Sequence, residues 1–580
     1  MRAWQIFQTL QFVEQFTKMV TETRKYTRIT LILVVCLISL PILFSVHKNS
    51  KLGVFDSFDR STEAKKLEEN VRNNSTKLLG GVGNDTTKLP LGEQNNSSLK
   101  PPITTTMPIK DQHKMVEDVL ESRFSKESCI SRYEYSSYLK NKKHYKPSTY
   151  LISKLRSYEK LHAQCGPQSL SYRKIIRKLS KSHSINGIKT MECKYLVWTP
   201  TNGLGNRMVS MASAFLYSIL QNRVFLVEFE ADMDGLFCEP FPNSTWLLPK
   251  NFPHKNNWSQ LSTFKYRENS GEYRVLPSFM HINIQHGHGD YNLRHFHCNG
   301  TLSVLEKIPA LILKSDQYFV PSLFMISSFK EELNKMFPKK DVIFHHLGHY
   351  LFNPSNEAWG LITRFYQAYL AKSQEKIGLH IRLFHHQKVS TQKILSQILS
   401  CTQSQNILPS FADTKSKQNF PWQNSTIRSK ALLIASLYPE YAEELRSLYW
   451  TRPTITGDVV GVYQPSHEEY QKFGDNMHNL KALAEIYLVS LCDVIVTSPL
   501  STFGYVAQSL GGSKPWIMVS FGMNGHQNMP CKRGFSMEPC FHVPPQYDCK
   551  DKTKINDFAS LYSQLKACDD AWWGAKLVDT

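Results

Sequence analysis

At 580 residues, 41% hydrophobic and 20% charged, the chain is long enough for two or three domains and too apolar to be disordered throughout. Its formal charge of +20 favours anionic ligands. Twelve cysteines without one CxxC pair argue against a zinc knuckle and for a disulfide-forming lumen, where nucleic acid is a poor partner and nucleotide sugars, sulfated glycans or acidic polysaccharides are better ones.

The first element is Ile29 to Val46, an uncharged apolar run of bilayer-spanning length. Arg24, Lys25 and Arg28 precede it, with Lys18 further back, against Lys48 and Lys51 beyond it. The basic side is expected to stay cytosolic, which makes 1–28 a cytosolic tail, 29–46 a type II signal-anchor and the remainder luminal. A cleaved signal peptide fits less well, because the preceding region is long and no small-x-small site follows. Residues 47–119 mix Lys, Glu, Asn, Ser and Thr with "PPITTTMP" and cannot bury enough apolar surface to order themselves, so a luminal stalk is expected. Sequons at Asn73, Asn74, Asn84, Asn95 and Asn96 cluster there, and Asn243, Asn257, Asn299 and Asn424 follow. Of the eleven cysteines after Cys36, Cys492 is expected to stay outside the disulfides, since it heads a buried apolar strand.

In "YLVWTPTNGLGNRMVSMASAFLYSILQNRVFLVEF" a strand (Tyr195 to Trp198), a glycine-bearing turn, a helix from about Arg207 to Leu220 and a second strand make a βαβ start. Its turn resembles a dinucleotide fingerprint, but Met208 stands where the third glycine belongs. The triplet "DMD" (Asp232 to Asp234) follows the second strand, as a metal-holding acidic motif would, although so short a match is common by chance. His286, His288, His295 and His297, and His345, His346 and His349, lack an HExxH-type helical spacing, so surface or loop roles are expected rather than zinc.

In "EKIGLHIRLFHH" a buried strand carries His380 and Arg382 two apart, hence on one face. A buried arginine needs a partner: a structural carboxylate, or phosphate oxygens reached by its fork. Further on, "HNLKALAEIYLVSLCDVIVTSPLSTFGYVAQSLGGSKPWIMV" reads as a helix (Leu480 to Leu491), a strand (Asp493 to Thr497) and a helix from Thr502 to Leu510. Ser501 is placed to cap that helix, and Gly511 and Gly512 to end it. A Ser/Thr-rich turn into a helix N-terminus at a sheet's carboxyl end suits phosphate, though a plain serine-capped connection would read the same way.

These residues are recognisable. From about Glu127 to Val578 the chain resembles the plant xyloglucan fucosyltransferase family, on "ESCISRYEYSSYLK", "NGLGNRMVSMASAFLYSILQNRVFLVEF", "LFCEPFPNSTWLLP", "IGLHIRLF", "SPLSTFGYVAQSLGGSKPWI" and "GFSMEPCFHVPPQYDC". Departures from the family pattern are "KLLGG" (Lys77 to Gly81) set far from "ESCISRY", Pro499 in the turn, and His380 ahead of the arginine. The resemblance implies an α/β GT-B glycosyltransferase, with two Rossmann-like halves across a cleft behind the anchor and stalk. Residues 120–370 would form the acceptor-side half and 371–580 the half that binds GDP-fucose. It further implies inverting transfer of fucose to a galactosyl residue, without metal or other cofactor, in the Golgi membrane.

Within that frame Arg382 is the catalytic candidate, stabilising charge on the departing diphosphate. Ser501, Thr502, Phe503 and Gly504 would hold the diphosphate and base, joined by His380, Ser498 and Tyr505. Gly203 and Gly205 would permit a tight turn, with Asn206 and Arg207 presented where donor phosphates and acceptor meet. The acceptor would be a galactosylated polysaccharide (xyloglucan) or an arabinogalactan-type glycoprotein glycan, and a homo-oligomer is compatible with all this. No single general base is singled out. The alternative is a non-catalytic glycan-binding Golgi protein of the same fold.

Overall fold

The computed structural model describes residues 124–139, 144–181, 192–255, 258, 261, 276–285, 296–384, 389–412, 427–519, 529–555 and 557–579. The segments expected to form an anchor and stalk, seven of the nine sequons (all but Asn243 and Asn299), and His286, His288 and His295 lie outside these residues. Among the described residues no helix is long and apolar enough to cross a membrane.

Two sheets organise the chain. The first joins β1 (Tyr195–Thr199), β2 (Val224–Val227), β3 (Phe279–Ile284) and β4 (Ala310–Ser315) in the order β2-β1-β4-β3, all parallel. The second joins β5 (Glu375–Ile381), β6 (Ser429–Ser436), β7 (Val459–Tyr463), β8 (Val494–Thr497), β9 (Trp516–Met518) and β10 (Cys531–Arg533) in the order β10-β9-β8-β5-β6-β7. Only the β10–β9 pair within it is antiparallel. Every residue of β1 and β2 is buried, which is why these strands read as unbroken apolar runs and not as alternation.

Five helices lie where the sheets meet: α1 (Leu204–Leu220), α2 (Ile343–Leu351), α3 (Asn356–Phe365), α4 (Asn476–Ser490) and α5 (Thr502–Leu510). One continuous core runs from Leu196 and Trp198 of β1 through these helices to Ala431 and Leu433 of β6. The outer face of each sheet has its own smaller core. All of α1 is buried except Asn206, so it is a core helix rather than an amphipathic one. Within it Phe215 stacks on Tyr350 of α2 with centroids 5.4 Å apart. Truncating a fully buried Phe in such a core costs about 3–5 kcal/mol.

α1 begins at Leu204, three residues ahead of the expected start, and the tight turn before it is made by Asn202 at φ +60°, not by a glycine. Gly205 is needed for another reason. A Cβ there would come within 2.8 Å of the Phe503 backbone nitrogen and the Thr502 hydroxyl, so its absence lets the first turns of α1 and α5 touch.

Five disulfides staple the fold: Cys129–Cys238, Cys165–Cys193, Cys298–Cys549, Cys401–Cys531 and Cys540–Cys568. Cys492 stays outside them, as expected, buried and with its thiol 3.4 Å from the Leu488 carbonyl. Asn243 is exposed, at φ +56°. Asn299 opens the helix Asn299–Leu305, where its side chain donates to Ser327 Oγ at 2.6 Å.

Candidate active site

In both sheets the strand order reverses beside the first strand, between β1 and β4 and between β5 and β8. Ligands of open α/β sheets bind at such points, beyond the carboxyl ends of the strands. A cavity of about 220 Å³ lies there, lined by Gly203 to Asn206 from the first sheet's side and by His380 to Arg382, Ser436, Gln471, Glu485 and Leu500 to Phe503 from the second.

The turn after β8 aims α5 at this cavity. Leu500 takes φ +62°, a strained value for a bulky residue, and its N–H donates to Asp570 Oδ2 at 2.8 Å. Ser501 occupies the N-cap position, but its hydroxyl makes no capping bond, so the helix's first N–H groups and the Ser501 and Thr502 side chains meet the cavity together. A helix N-terminus with such donors attracts phosphate.

Arg382 follows β5. Its backbone N–H is held by Ser498 Oγ at 2.9 Å, and its guanidinium donates to Gln471 Oε1 at 3.1 Å. Among the described residues no carboxylate forms an ion pair with it. Burial draws its pKa below the usual arginine range. His380 lies flat on Phe503, centroids 4.7 Å apart, and its buried Nδ1 has no hydrogen-bond partner among the described residues. Burial, with Arg382 nearby, lowers its pKa to about 3, which keeps the ring neutral.

Four expected site residues serve the scaffold instead. Arg207 turns away from the cavity and is buried against Asp232 (2.8 Å) and Glu230 (3.1 Å), with its Nε on the Asn202 carbonyl (2.9 Å). A guanidinium at that depth goes where carboxylates wait for it. Ser498 spends its hydroxyl on the Arg382 N–H and the His380 carbonyl, tying β8 to β5. Gly504 faces the sheet, where a Cβ would sit 2.2 Å from Thr497 Oγ1 and 3.4 Å from His380 Nδ1. Tyr505 points inward, donating to Asp570 Oδ2 at 2.6 Å and lying 3.0 Å from His542 Nε2. Asn206 does reach the cavity, where it accepts from Thr502 Oγ1 (3.1 Å) and donates to the Asp316 carbonyl (3.1 Å).

In the acidic triplet Asp232 pairs with Arg207, and the Asp234 backbone carbonyl accepts from Asn476. His345 Nδ1 and His349 Nε2 donate to the last carbonyls of α5, on Ser509 (2.8 Å) and Leu510 (3.0 Å), so both rings cap that helix. Among the described residues His297, Cys298 and Cys549 bring three ligand-type atoms together, but the two cysteines are bonded to each other.

Sequence reasoning missed the wall formed by α4 and the segment before it. His478, Ala482 and Glu485 line the cavity at helical spacing (i, i+4, i+7), a stripe visible in the sequence. Burial pushes Glu485 up to about 8, and Ser466 Oγ donates to it at 2.6 Å. Gln471 and His542 had no local signal.

Parallel α/β sheets meeting at a polar cavity, with a cationic side chain and a helix N-terminus beside it, define an α/β protein with a site suited to a phosphate-bearing ligand. A profile of the xyloglucan fucosyltransferase family matches residues 92–550, and the chain belongs to that family. It is 46% identical over 473 residues to a galactoside 2-alpha-L-fucosyltransferase of Pisum sativum, covering 80% of this chain and 82% of the relative. To the galactoside 2-alpha-L-fucosyltransferase of Arabidopsis thaliana it is 47% identical over 476 residues, covering 80% and 83%. The solved structure of a mutant of Arabidopsis thaliana FUT1 in complex with GDP superposes with a TM-score of 0.71 at 45% identity, covering 80% of this chain and 100% of that one.

Proposed function

We propose that the protein transfers L-fucose from GDP-fucose to O-2 of a galactosyl residue in a cell-wall glycan of the xyloglucan or arabinogalactan type, with inversion. It does so as a GT-B enzyme held by a type II anchor and stalk in the Golgi lumen. The observation that carries the reading is Arg382, a guanidinium without a carboxylate partner among the described residues, in one cavity with the N-terminus of α5. The three likenesses above, to one GDP complex and two galactoside fucosyltransferases, support the choice of donor and acceptor.

In this reading the bond from the anomeric carbon to the β-phosphate oxygen breaks and its electron pair stays on GDP. The acceptor oxygen attacks the opposite face of the sugar and loses its proton. Arg382 and the α5 N-terminus stabilise the charge that grows on the diphosphate, preorganised and partly shielded from water. Ser501 and Thr502 add hydroxyl donors, and neutral His380, stacked on Phe503, helps to form the cavity wall the nucleotide would meet. These groups supply the role a divalent ion would play, and no metal is required.

The test incubates the detergent-solubilised full chain with GDP-fucose and a panel of galactosylated oligosaccharides, with and without EDTA. Linkage analysis should find 2-linked α-fucose on galactose, at equal rates in chelator. Loss of activity in EDTA with rescue by manganese would overturn the metal-independent mechanism, and glycan binding without nucleotide affinity would overturn the enzyme reading.

A further inference from the structure

The segment between β7 and α4, residues 464–475, forms one edge of the cavity through Ser466, Glu468 and Gln471. It is fastened along its length. Glu469, at φ +63°, donates its N–H to the Leu437 carbonyl at 2.7 Å. The Glu468 carboxylate is clamped between Lys472 and Lys481, whose hydrogen bonds hold it down at about 2. Gln471 accepts from Arg382, and at the far end Asn476 donates to the Asp234 carbonyl at 2.8 Å.

On this anchored edge two aromatic side chains stand in solvent, Tyr470 61% and Phe473 69% exposed. Scattered exposed apolar groups need no explanation, but two rings three residues apart on a tied-down segment at a cavity mouth are preorganised for a ligand. We propose that they form the platform on which the acceptor glycan lies, each ring stacking on the CH-rich face of one sugar. The proposal rests on the glycosyl-transfer reading and names the surface that reading leaves unassigned.

The chemistry of the surface favours this occupant. Two rings are too little for a protein interface, which buries about 1,000 Å² or more. The surrounding charge is close to balance, Lys472 and Lys481 being set against Glu468, Glu469 and Asp475, with no excess of positive charge to draw an acidic chain, which suits a neutral polyhydroxylated one better. Lys472 Nζ lies 5.6 Å from the Tyr470 ring centroid and steadies it. Gln471 separates the two rings in sequence and touches Arg382, so the platform runs continuously into the donor cavity. A chain lying over both rings presents more than one sugar, so the platform should matter for long acceptors and not for short ones.

The experiment compares full-length wild type, the Y470A/F473A double variant and Y470F. It reads direct affinity for a galactosylated oligosaccharide of several sugars, the KM of that oligosaccharide, the KM of a simple galactoside, and the Kd for GDP. The double variant should lose about tenfold or more in oligosaccharide affinity, with KM rising to match. The simple galactoside's KM and the GDP Kd should stay at wild-type values, and Y470F, which keeps the ring, should behave as wild type. Unchanged oligosaccharide affinity, or an equal loss with the simple galactoside or with GDP, would overturn the platform. Absence of GDP affinity and transfer in the wild type would instead overturn the transfer reading, while the direct glycan titration still judges the rings.

Discussion

The turns that lead into α1 and α5 are built alike and put to different uses. Each leaves a parallel strand, passes through a residue at positive φ (Asn202, Leu500) and starts a helix whose first turn touches that of the other. Around α1 the polar groups are consumed internally: Arg207 by Asp232 and Glu230, Asn206 by Asp316 and Thr502. Around α5 the serine at the N-cap makes no cap, and among the described residues the guanidinium of the nearby Arg382 hydrogen-bonds to a neutral amide and to no carboxylate. The difference lies in the carboxylates. Arg207 is paired with them and braces the fold; among the described residues Arg382 is paired with none, and under the proposed function it is the group that meets the diphosphate.

The contrast predicts opposite phenotypes for the two arginines. Arg207→Ala leaves Asp232 buried without its cation, and breaking a buried pair in this way costs about 3–5 kcal/mol. It should appear as a large drop in the urea midpoint, with any folded protein retaining its KM for GDP-fucose. A midpoint within error of wild type would break the comparison from this side. Arg382→Ala removes a cation that braces little, so stability should barely change while kcat falls about 10²–10³-fold, the effect of losing one charge-stabilising donor. Near-wild-type transfer by that variant would remove Arg382 from the mechanism.

A smaller effect sharpens the view of the seam between the two regions. Glu538 is fully buried, accepts from the Tyr318 hydroxyl and from the Phe344 N–H at 2.9 Å, and is pushed up to about 8, chiefly by burial. Below about pH 4.5 the carboxyl is protonated in folded and unfolded chains alike. Above that the unfolded chain gives up a proton that the folded one keeps, so this residue's contribution to stability falls as pH rises, until about 8. Glu538→Gln should therefore gain on wild type between pH 5 and 8.5 in urea-midpoint measurements. Parallel pH profiles for the two proteins would mean the carboxyl is ionised in the fold.

The strand–turn–helix frame was legible because apolar runs, helical spacing and the glycine pair at 511–512 are local signals. So were His380 and Arg382, two apart on one strand, and the residues at the N-terminus of α5. The destinations of Arg207, Ser498 and Tyr505 were not. Their partners stand 25, 116 and 65 residues away, and only the packed chain brings them within reach. The resemblance placed Arg207 and Tyr505 among the substrate contacts because they adjoin residues that do line the cavity, and adjacency in a helix sends successive side chains to different faces. The edge at 464–475 has neither helical nor strand period, so nothing in its pattern marked it.

The bridges also give the chain an unusual connectivity. Cys298–Cys549 closes a ring 251 residues apart in sequence, and Cys401–Cys531 closes a second ring of 130 wholly inside it. A single peptide-bond cut anywhere between Cys298 and Cys549 therefore yields two pieces that remain one molecule. A cut between Cys401 and Cys531 leaves them joined twice over. Such a nicked protein migrates as intact on a non-reducing gel and separates only when a thiol is added.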